Sequence, residues 1–570
     1  MPRVLPDSPD PFYYLANFER ALGWLAARCA DLFDESEARF AQRFGALPRA
    51  SRALFVRMLM RKGPHFRASR LDYAEIGCPR AAAAALVAEG WLDAAPTLAL
   101  DALAPLVTKA ELQALAVTLD IATDARAACT STRTAALAAL EQAVPPPRDW
   151  HAWFPDSADT VFHLAAAPLC ERLRLMFFGN LRQDWSEFVL ADLGIYRYES
   201  VPFDEASRAF HHRRDIDTWL ALRDCRERIE TDPETIAVAL DTLDALAPRT
   251  ADNAWLRARH DRARHAAGQA AERAREPELA WRAYLECGHP EARYRRVRVL
   301  EQLGRRDEAV ALAEAIAAAP VNEEEAQRAA RTLGRLQRQR GSRATQDAAA
   351  AQVGAVAELT LPGAKADLRV EEATRLALAT DEAPVFYVEN TLINSLFGLL
   401  CWPALFAPLP GAFFHPFQRG PADLHAADFV ARRADRFATC LAELETRAYR
   451  ATIERRYVEK HGIQSPFVAW PALSAGLLSV ALDCFPAAHL RLWFERLLRD
   501  PTANRSGLPD LVRFWPAERR YELIEVKGPG DRLQDNQRRW LAYCAAHAMP
   551  VTVLQVRWAP APLALDATAP

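Results

Sequence analysis

Two short apolar runs near the C-terminus, at 511–515 and 521–527, have the composition of paired β-strands and carry charged residues at fixed points. Side chains in a strand alternate between its two faces, so Glu525 and Lys527 share a face and lie about 7 Å apart along the strand. A chain reversal between the two runs brings Asp510 beside them. The sequence therefore predicts a β-sheet edge where two carboxylates and one lysine meet.

This trio of side chains suits metal-assisted hydrolysis of a phosphodiester. Carboxylate oxygens are hard ligands, appropriate for Mg²⁺ or Mn²⁺. Such an ion can acidify a bound water, polarise the phosphate and neutralise the leaving oxygen. The chain has the PD-(D/E)xK pattern: Pro509-Asp510, a spacer of fourteen residues, then Glu525-Val526-Lys527. The pattern also arises by chance in long chains, where the Glu and Lys form only a solvated salt pair.

The residues that flank this pattern favour a functional site over a chance match. Gly507 permits close backbone approach, and Gly528-Pro529-Gly530-Asp531 ends the second strand abruptly. The following helix places Gln537 and Trp540 on one side, three residues apart. We expect Trp540 in the core. Gln537 either supports the strand that carries the acids or is a surface amide.

Two motifs, GLPDLV at 507–512 and ELIEVKGPGDRLQDNQRRWL at 522–541, resemble the VRR-NUC nuclease domain of the Fanconi-associated nuclease family, including its bacterial relatives. The order of parts along the chain is also similar to that family, with a DNA-binding region first, helical repeats next and the nuclease last. The resemblance is strong over 380–560 and loose before residue 380. It implies a multidomain, mainly helical protein that ends in an α/β PD-(D/E)xK domain with a mixed sheet of about five strands.

The resemblance also implies roles for individual residues. Asp510 and Glu525, together with Glu389, are expected to hold one or two Mg²⁺ or Mn²⁺ ions. The carbonyl of Val526 is expected to add a ligand, and Lys527 to handle the attacking water.

Glu389 is the least direct of these assignments. It matches the family's acidic position in FYVENTLINSLFGLLCWPALF at 386–406, on a helix that begins the nuclease domain, but the human member has Glu-Gly where this chain has Glu389-Asn390. Read without the family, Glu389 is a charge near a helix N-terminus, where the helix dipole favours it. The same helix should turn four apolar residues toward a core: Leu392, Leu396, Phe397 and Leu400. Three further glutamates rival it: Glu443, Glu445 and Glu454.

The arginine-rich segment at 49–77 predicts an N-terminal DNA contact. A helix that ends at Gly63-Pro64, a second helix at 81–89 and a short apolar strand at 90–92 are the pieces of a winged helix. A small helical bundle with solvated arginines fits the same residues. The expected phosphate contacts here are Lys62, Arg67 and Arg70.

A second candidate DNA contact is the pair of short helices expected within 103–140, which resembles a SAP motif. Thr108 and Glu111 fit a capping box at the start of the first helix. Lys109 and Arg133 would reach phosphates. A plain helical hairpin is the competing interpretation. Because phosphate contacts do not read bases, we expect binding that depends on DNA shape and tolerates sequence.

Residues 215–345 are rich in Ala, Arg, Glu and Leu and predict continuous helices. The stretch 292–316 resembles one tetratricopeptide helix pair, with Gly304 at the turn and with Ala309 and Ala313 where the helices approach. We therefore expect five regions along the chain: a winged-helix-like region at 1–100, a SAP-like motif at 101–145, a connecting helical region at 146–214, tetratricopeptide-like repeats at 215–378, and the nuclease domain at 379–560.

Charge and composition set broader limits. The formal net charge is −3, so a nucleic-acid partner has to be met by local basic faces. Neither an apolar signal-peptide run nor an apolar stretch of about 18–20 residues is found in the sequence, and we expect a bacterial, cytoplasmic, DNA-associated protein. The ubiquitin-binding zinc finger of eukaryotic family members is not evident, which argues against recruitment by ubiquitinated partners.

The expected activity follows from the resemblance. Family members cut branched DNA near a junction, prefer 5′ flaps, degrade with 5′→3′ polarity and act in DNA repair, including repair of interstrand crosslinks. Two alternatives stay open: a non-catalytic scaffold that binds branched DNA, and a restriction-type enzyme with sequence specificity. Intact Asp510, Glu525 and Lys527 argue against the first. The helical repeats, without an obvious target-recognition domain, argue against the second.

Overall fold

The computed structural model of the chain describes residues 10–119, 121, 132–185, 196–339, 355–362 and 368–559. The chain divides into two compact units. One is formed by residues 1–195 and 210–216, and the other by residues 196–209 and 217–570.

The first unit is mainly helical and carries one small sheet. Strands β1 (His65–Arg67) and β2 (Val161–His163) pair antiparallel. The predicted strand at 90–92 is wrong: that segment forms no strand, and Asp93 makes only an isolated bridge to His163. The helices of this unit are Tyr13–Arg28, Glu35–Phe44, Arg49–Leu59, Pro79–Ala88, Leu100–Leu103, Lys109–Thr118, Arg133–Ala143, Trp150–Trp153 and Ala167–Phe178.

Aromatic packing organises the start of the first unit. Phe40 and Phe44 lie one helical turn apart and contact Phe55 of the next helix, and all three rings contact Trp91. Offset and edge-on rings of this kind add stabilisation beyond area burial. The two helices predicted in this region are present as Arg49–Leu59 and Pro79–Ala88, and their contact with DNA stays a prediction.

The helical pair in the predicted SAP-like segment is confirmed as two helices, Lys109–Thr118 and Arg133–Ala143. The predicted capping box is also present: the Glu111 amide donates to Thr108 Oγ1 at 3.3 Å, and the Thr108 amide donates to Glu111 Oε2 at 2.7 Å. The connection between the helices, at 120 and 122–131, lies outside the described residues.

Residues 213–339 are almost continuously helical, as predicted. Gly304 has φ +74° at the predicted turn, and Ala309 and Ala313 are buried between helices. The last part of the predicted helical stretch, at 340–345, lies outside the described residues. The helices of this stretch are Arg213–Thr231, Ile236–Thr250, Ala254–Ala274, Pro277–Leu285, Ala292–Gln302, Arg306–Ala318 and Glu323–Gln339.

A five-stranded mixed sheet lies in the C-terminal part of the second unit, as predicted. The strands are β3 (Ala355–Leu361), β4 (Val385–Tyr387), β5 (Leu511–Trp515), β6 (Arg520–Lys527) and β7 (Val551–Trp558). Their order in the sheet is β3-β7-β6-β5-β4; β3 and β6 run parallel to β7, and β5 runs antiparallel to β4 and β6. The helices around it are Val370–Leu378, Leu392–Leu400, Trp402–Leu405, Ala434–Thr446, Tyr449–Glu459, Ala475–Cys484, Ala487–Arg499 and Asp535–Ala546.

The two faces of the sheet bury separate apolar clusters because strand side chains alternate. Tyr521 and Leu523 belong to the large cluster on one face, and Ile524 and Val526 to the smaller cluster on the other. Glu525 and Lys527 follow Tyr521 and Leu523 on the first face. The first face of the sheet is therefore apolar at Tyr521 and Leu523 and carries Glu525 and Lys527 at the C-terminal end of β6.

Among the described residues, no single helix has the length and apolarity to cross a bilayer. One pair, Ala475–Cys484 with Ala487–Arg499, reaches that threshold together by length and composition alone, and the two helices are bent by 109°.

Candidate active site

Asp510 stands directly before β5 and is fixed by backbone contacts on both sides. Its carbonyl accepts a hydrogen bond from the Val388 amide at 2.8 Å. Its carboxylate Oδ2 accepts one from the Val526 amide, also at 2.8 Å. Leu511 pairs with Ile524 in the antiparallel register, so Asp510 comes level with Glu525. The predicted meeting of the two acids is thus a consequence of strand register.

Glu525 is completely buried, and an ion pair with Lys527 offsets the charge of its carboxylate. The Nζ of Lys527 lies 2.6 Å from Glu525 Oε1, and Lys527 is itself only 7 % exposed. Apart from this ion pair at Oε1, neither Glu525 carboxylate oxygen has a hydrogen-bond partner among the described residues. A buried carboxylate oxygen without a donor is costly, and the Glu525 side chain faces the same side of the strand as the lysine.

Burial and mutual repulsion disfavour the ionised forms of the two acids. Burial, opposed by the Val526 amide and the Lys527 charge, raises the pKa of Asp510 to about 6. Burial, then the Asp510 charge, raises the pKa of Glu525 to about 7 against the attraction of Lys527. The two carboxyls titrate as one pair. One lysine does not neutralise two ionised carboxylates, so a further positive charge at the pair would be stabilising.

Glu389 belongs to this electrostatic group, although it is only half-buried. Its charge raises the pKa of both Asp510 and Glu525. It lies in the turn between β4 and the helix Leu392–Leu400, so the predicted position on a helix is corrected to the turn before one. Leu392, Leu396, Phe397 and Leu400 are all buried, as predicted.

Two neighbours hold the Glu389 carboxylate. The hydroxyl of Tyr387 donates to Oε2, and Nδ2 of Asn390 donates to Oε1 at 3.2 Å. Of the rival glutamates, Glu445 is engaged by Arg491 at 2.7 Å.

The donor set fits a hard divalent cation. Its side-chain donors are carboxylate oxygens, those of Glu525 are buried without a hydrogen bond, and the two acids have raised pKa values. No group of three or more His, Cys, Asp or Glu in the described part of the chain is close enough to form a ready-made metal cluster. Glu389, held by Tyr387 and Asn390, adds its negative charge to the pair.

The flanking residues of the motif have distinct structural roles. Gly507 has φ +87°, and a Cβ there would lie 2.8 Å from the backbone carbon of Asn536, so glycine is required by both conformation and space. Gln537 is half-buried and caps its own helix, with Oε1 accepting from the Gln534 amide at 2.9 Å. Trp540 is buried, as predicted.

The five predicted phosphate contacts differ in availability. Lys62, Arg70 and Lys109 are exposed. Arg67 is half-buried: it bonds Asp159 at 2.7 Å and Glu111 at 2.9 Å. The guanidinium of Arg133 donates to the carbonyls of Val107 and Ala104. Arg67 and Arg133 thus serve the packing of the first unit.

Four residues of the site were not predicted from the sequence. Tyr387 and Asn390 bond Glu389, and Glu371, on the helix Val370–Leu378, raises the pKa of Asp510. Asp531 accepts from the Gly528 amide at 3.0 Å and closes the turn after β6. The Gly-Pro-Gly-Asp sequence could have indicated the last contact, since Asp commonly bonds the backbone of a turn. Glu371 precedes a second glutamate on an amphipathic helix and gives no such signal.

Comparisons with known proteins agree with this geometry. The family model described as "FAN1, HTH domain" matches residues 12–93, and the "VRR-NUC domain" model matches residues 444–558. The second range contains Asp510, Glu525 and Lys527 but not Glu389. The sheet, its acid pair and the lysine thus define a VRR-NUC nuclease domain.

Similarity extends over nearly the whole chain. The Fanconi-associated nuclease 1 homolog of Pseudomonas aeruginosa is 50% identical over 559 residues, which cover 98% of each chain. The homolog of Arabidopsis thaliana is 24% identical and covers 96% of this chain and 67% of its own. A crystal structure of paFAN1 bound to 2nt 5′ flap DNA with a gap superposes with a TM-score of 0.86 at 50% identity, over 97% of this chain and all of that one.

The chain belongs to the Fanconi-associated nuclease family. It is a DNA nuclease with an N-terminal helix–turn–helix region and a C-terminal VRR-NUC domain, and membership of the family implies that the activity depends on a metal.

Proposed function

We propose that the protein is a structure-specific DNA endonuclease that cuts one strand near a 5′ flap or similar branch, with a 5′→3′ exonuclease activity at the same site. Its role would be DNA repair, including repair of interstrand crosslinks. The activity would require Mg²⁺ or Mn²⁺. The observation that carries this proposal is the buried pair Asp510 and Glu525 beside a single lysine, Lys527. The relative that was crystallised with 5′ flap DNA supports the choice of substrate.

Asp510, Glu525, Glu389 and the Val526 carbonyl would hold the metal. The metal, when bound, supplies an activated water and neutralises charge on the phosphate. The backbone contacts at Asp510 fix where the carboxylate oxygens point: Val388 holds its carbonyl, and the Val526 amide holds Oδ2. A carboxylate fixed on both sides needs little reorganisation when the substrate arrives.

Lys527 would act on the reacting atoms directly. Its Nζ is held by Glu525 Oε1 on the face of β6 that also carries the acids. An ammonium there can position the attacking water and offset the charge that builds on the scissile phosphate. Attack on phosphorus breaks the bond to the 3′ oxygen, so the products would be a 5′-phosphate and a 3′-hydroxyl.

DNA would be held by exposed cations that contact the phosphate backbone. Of the five residues predicted from the sequence, Lys62, Arg70 and Lys109 are free of ion pairs among the described residues and are the ones we propose. Arg67 and Arg133 are already engaged, and their loss would act through stability. Phosphate contacts set register without reading bases, so substrate choice would follow branch geometry.

The deciding experiment compares wild type and Asp510→Ala on a labelled 5′-flap duplex with Mn²⁺ or Mg²⁺. Wild type should cut near the branch, and Asp510→Ala should bind the same DNA with similar affinity and leave it intact. Loss of one metal-binding carboxylate should lower the rate by at least about 10²-fold, which corresponds to about 2.7 kcal/mol in the barrier. Glu522→Ala is the matched control, because Glu522 lies on β6 but faces the opposite side.

Unbranched duplexes of varied sequence complete the test. Cutting confined to branched DNA, at positions set by the branch, supports the proposal. A fixed sequence motif at the cut sites would indicate a restriction-type enzyme. Tight binding of branched DNA without any cutting by wild type would indicate a scaffold.

A further inference from the structure

Two asparagines tie the Glu389 turn to the loop that carries Asp510. Oδ1 of Asn390 accepts a hydrogen bond from the Leu508 amide at 3.1 Å, across 118 residues of sequence. Nδ2 of Asn394 donates to the carbonyls of Asn390 at 2.8 Å and Arg505 at 2.9 Å. The register of β4 with β5 sets Val388 opposite Asp510, and these side-chain bonds fix the turn and the loop just beyond the paired residues.

Asn390 differs from Asn394 because its side chain also touches an acid of the site. While Oδ1 takes the Leu508 amide, Nδ2 donates to Glu389 Oε1 at 3.2 Å. This orientation of the amide is the only consistent one: a flipped side chain would place its NH₂ against the Leu508 N–H and its oxygen against the carboxylate. One planar group therefore connects Glu389 with the backbone two residues before Asp510.

The backbone of Asn390 is suited to this task. Its φ is +52°, in the left-handed region that asparagine and glycine occupy more readily than other residues. The turn brings its side chain back over Glu389 and across to Leu508. Glycine would preserve the turn but would supply neither hydrogen bond.

We propose that Asn390 is a positioning residue that sets where the Glu389 carboxylate stands relative to Asp510, and so tunes the affinity of the site for a divalent cation. This inference rests on the proposed metal-dependent function. The two acids arrive on separate segments, and the Asn390 amide bonds the Glu389 carboxylate on one segment and the Leu508 backbone on the other. Partners of metal ligands that orient them typically change metal affinity or activity about 10–100-fold when they are lost.

The test measures binding of Mn²⁺ to the full-length protein without DNA, by the electron paramagnetic resonance signal of free Mn²⁺. Asn390→Gly should raise the Kd about tenfold; because glycine accommodates the backbone, the thermal unfolding midpoint should fall no further than in Asn394→Ala, since each variant loses one hydrogen bond between the two segments. Asn394→Ala is the matched control: it removes ties between the same two segments but no bond to Glu389. Its Kd should stay within about threefold of wild type, and its unfolding midpoint should fall because a buried tie is lost.

A double-mutant cycle with Glu389→Ala tests whether the effect of Asn390→Gly on the Kd depends on Glu389. If Asn390 acts through Glu389, Asn390→Gly should have little further effect on the Kd once Glu389 is gone. An equal loss of affinity in both backgrounds would overturn the proposal, since the loop that carries Asp510 would then account for it. An unchanged Kd in Asn390→Gly would overturn it too.

Failure of the underlying function looks different. Wild type that binds no Mn²⁺, or binds it equally well after Asp510→Ala, would refute the metal site itself, and the inference with it. Wild type that binds Mn²⁺ through Asp510 while Asn390→Gly binds equally well would refute the inference alone.

Discussion

Neutralising Glu525 should stabilise the metal-free protein at high pH, although Glu525 is central to the site. In wild type the fully buried Glu525 carboxylate lies beside the buried Asp510 and has Lys527 as its ion-pair partner. Its pKa is raised from 4.5 to about 7. At about 1.36 kcal/mol per pKa unit, the ionised form then costs the folded state about 3 kcal/mol. Glu525→Gln removes that charge.

The expected gain is smaller than the full penalty because Lys527 loses its ion-pair partner. The pairing of Glu525 with Lys527 opposes the rise in pKa, and the amide introduced by Glu525→Gln would offer only a neutral acceptor. We expect Glu525→Gln to be more stable than wild type by about 1–3 kcal/mol at pH 8 in EDTA.

The pH dependence follows from linkage. The folded pKa of Glu525 lies above its unfolded value, so the folded state keeps the proton to higher pH. Wild-type stability should therefore fall as pH rises between about 4.5 and 7, and the penalty should be complete above that range. At pH 5 the buried carboxyl is largely protonated in wild type, and Glu525→Gln should give almost no advantage.

Differential scanning calorimetry in EDTA at pH 5 and pH 8 measures these differences. The relevant transition is the one that Mn²⁺ shifts in wild type; at about 100 times the Kd the ion should add about 2.7 kcal/mol. The control is Glu522→Gln, the same substitution on the opposite face of β6. A variant that is less stable than wild type at pH 8, or one whose gain is equal at both pH values, would refute the reasoning.

Three further predictions concern other parts of the molecule. Gly507→Ala should destabilise by more than Gly530→Ala in denaturant unfolding, because both have positive φ but only Gly507 would place its Cβ 2.8 Å from backbone; equal losses would show that conformation alone matters. Arg496→Ala should cost about 1.5–3 kcal/mol, since the buried Arg496 bonds the part-exposed Glu323 through two contacts of 2.6–2.7 Å; a urea midpoint close to wild type would contradict this. Lys62→Ala should lower the salt dependence of DNA binding by about 0.9 in log–log slope, whereas Arg67→Ala should lower the unfolding temperature with the slope unchanged; the opposite pattern would reverse their assignments.

Sequence patterns predicted the strands and the acid pair well because those features are local. A period of two places Glu525 and Lys527 on one face without reference to the rest of the chain, and register with β5 then brings Asp510 level with Glu525. Edge strand β3 gave no such signal: its residues are mostly exposed, so no alternation marks it.

Long-range contacts explain what the sequence did not predict. Arg67 has the same local neighbours whether it faces phosphate or, as here, bonds Asp159, 92 residues away. The hydrogen bond of Asn390 to the Leu508 amide spans 118 residues. The family resemblance placed Glu389 on a helix, yet the helix starts only at Leu392, after a left-handed residue at 390.

Division of the acids between two distant segments explains why so many contacts around the site are backbone contacts. Glu389 and Asp510 have no shared strand to fix their separation, unlike Glu525 and Lys527. Val388 bonds the Asp510 carbonyl, and Asn394 bonds that of Arg505. Such ties fix geometry and bury little apolar surface, so loosening one should change the spacing of the acids by more than it lowers stability. Substitutions that remove contacts between the Glu389 turn and the loop that carries Asp510 should therefore impair metal binding and cleavage in proteins that remain folded.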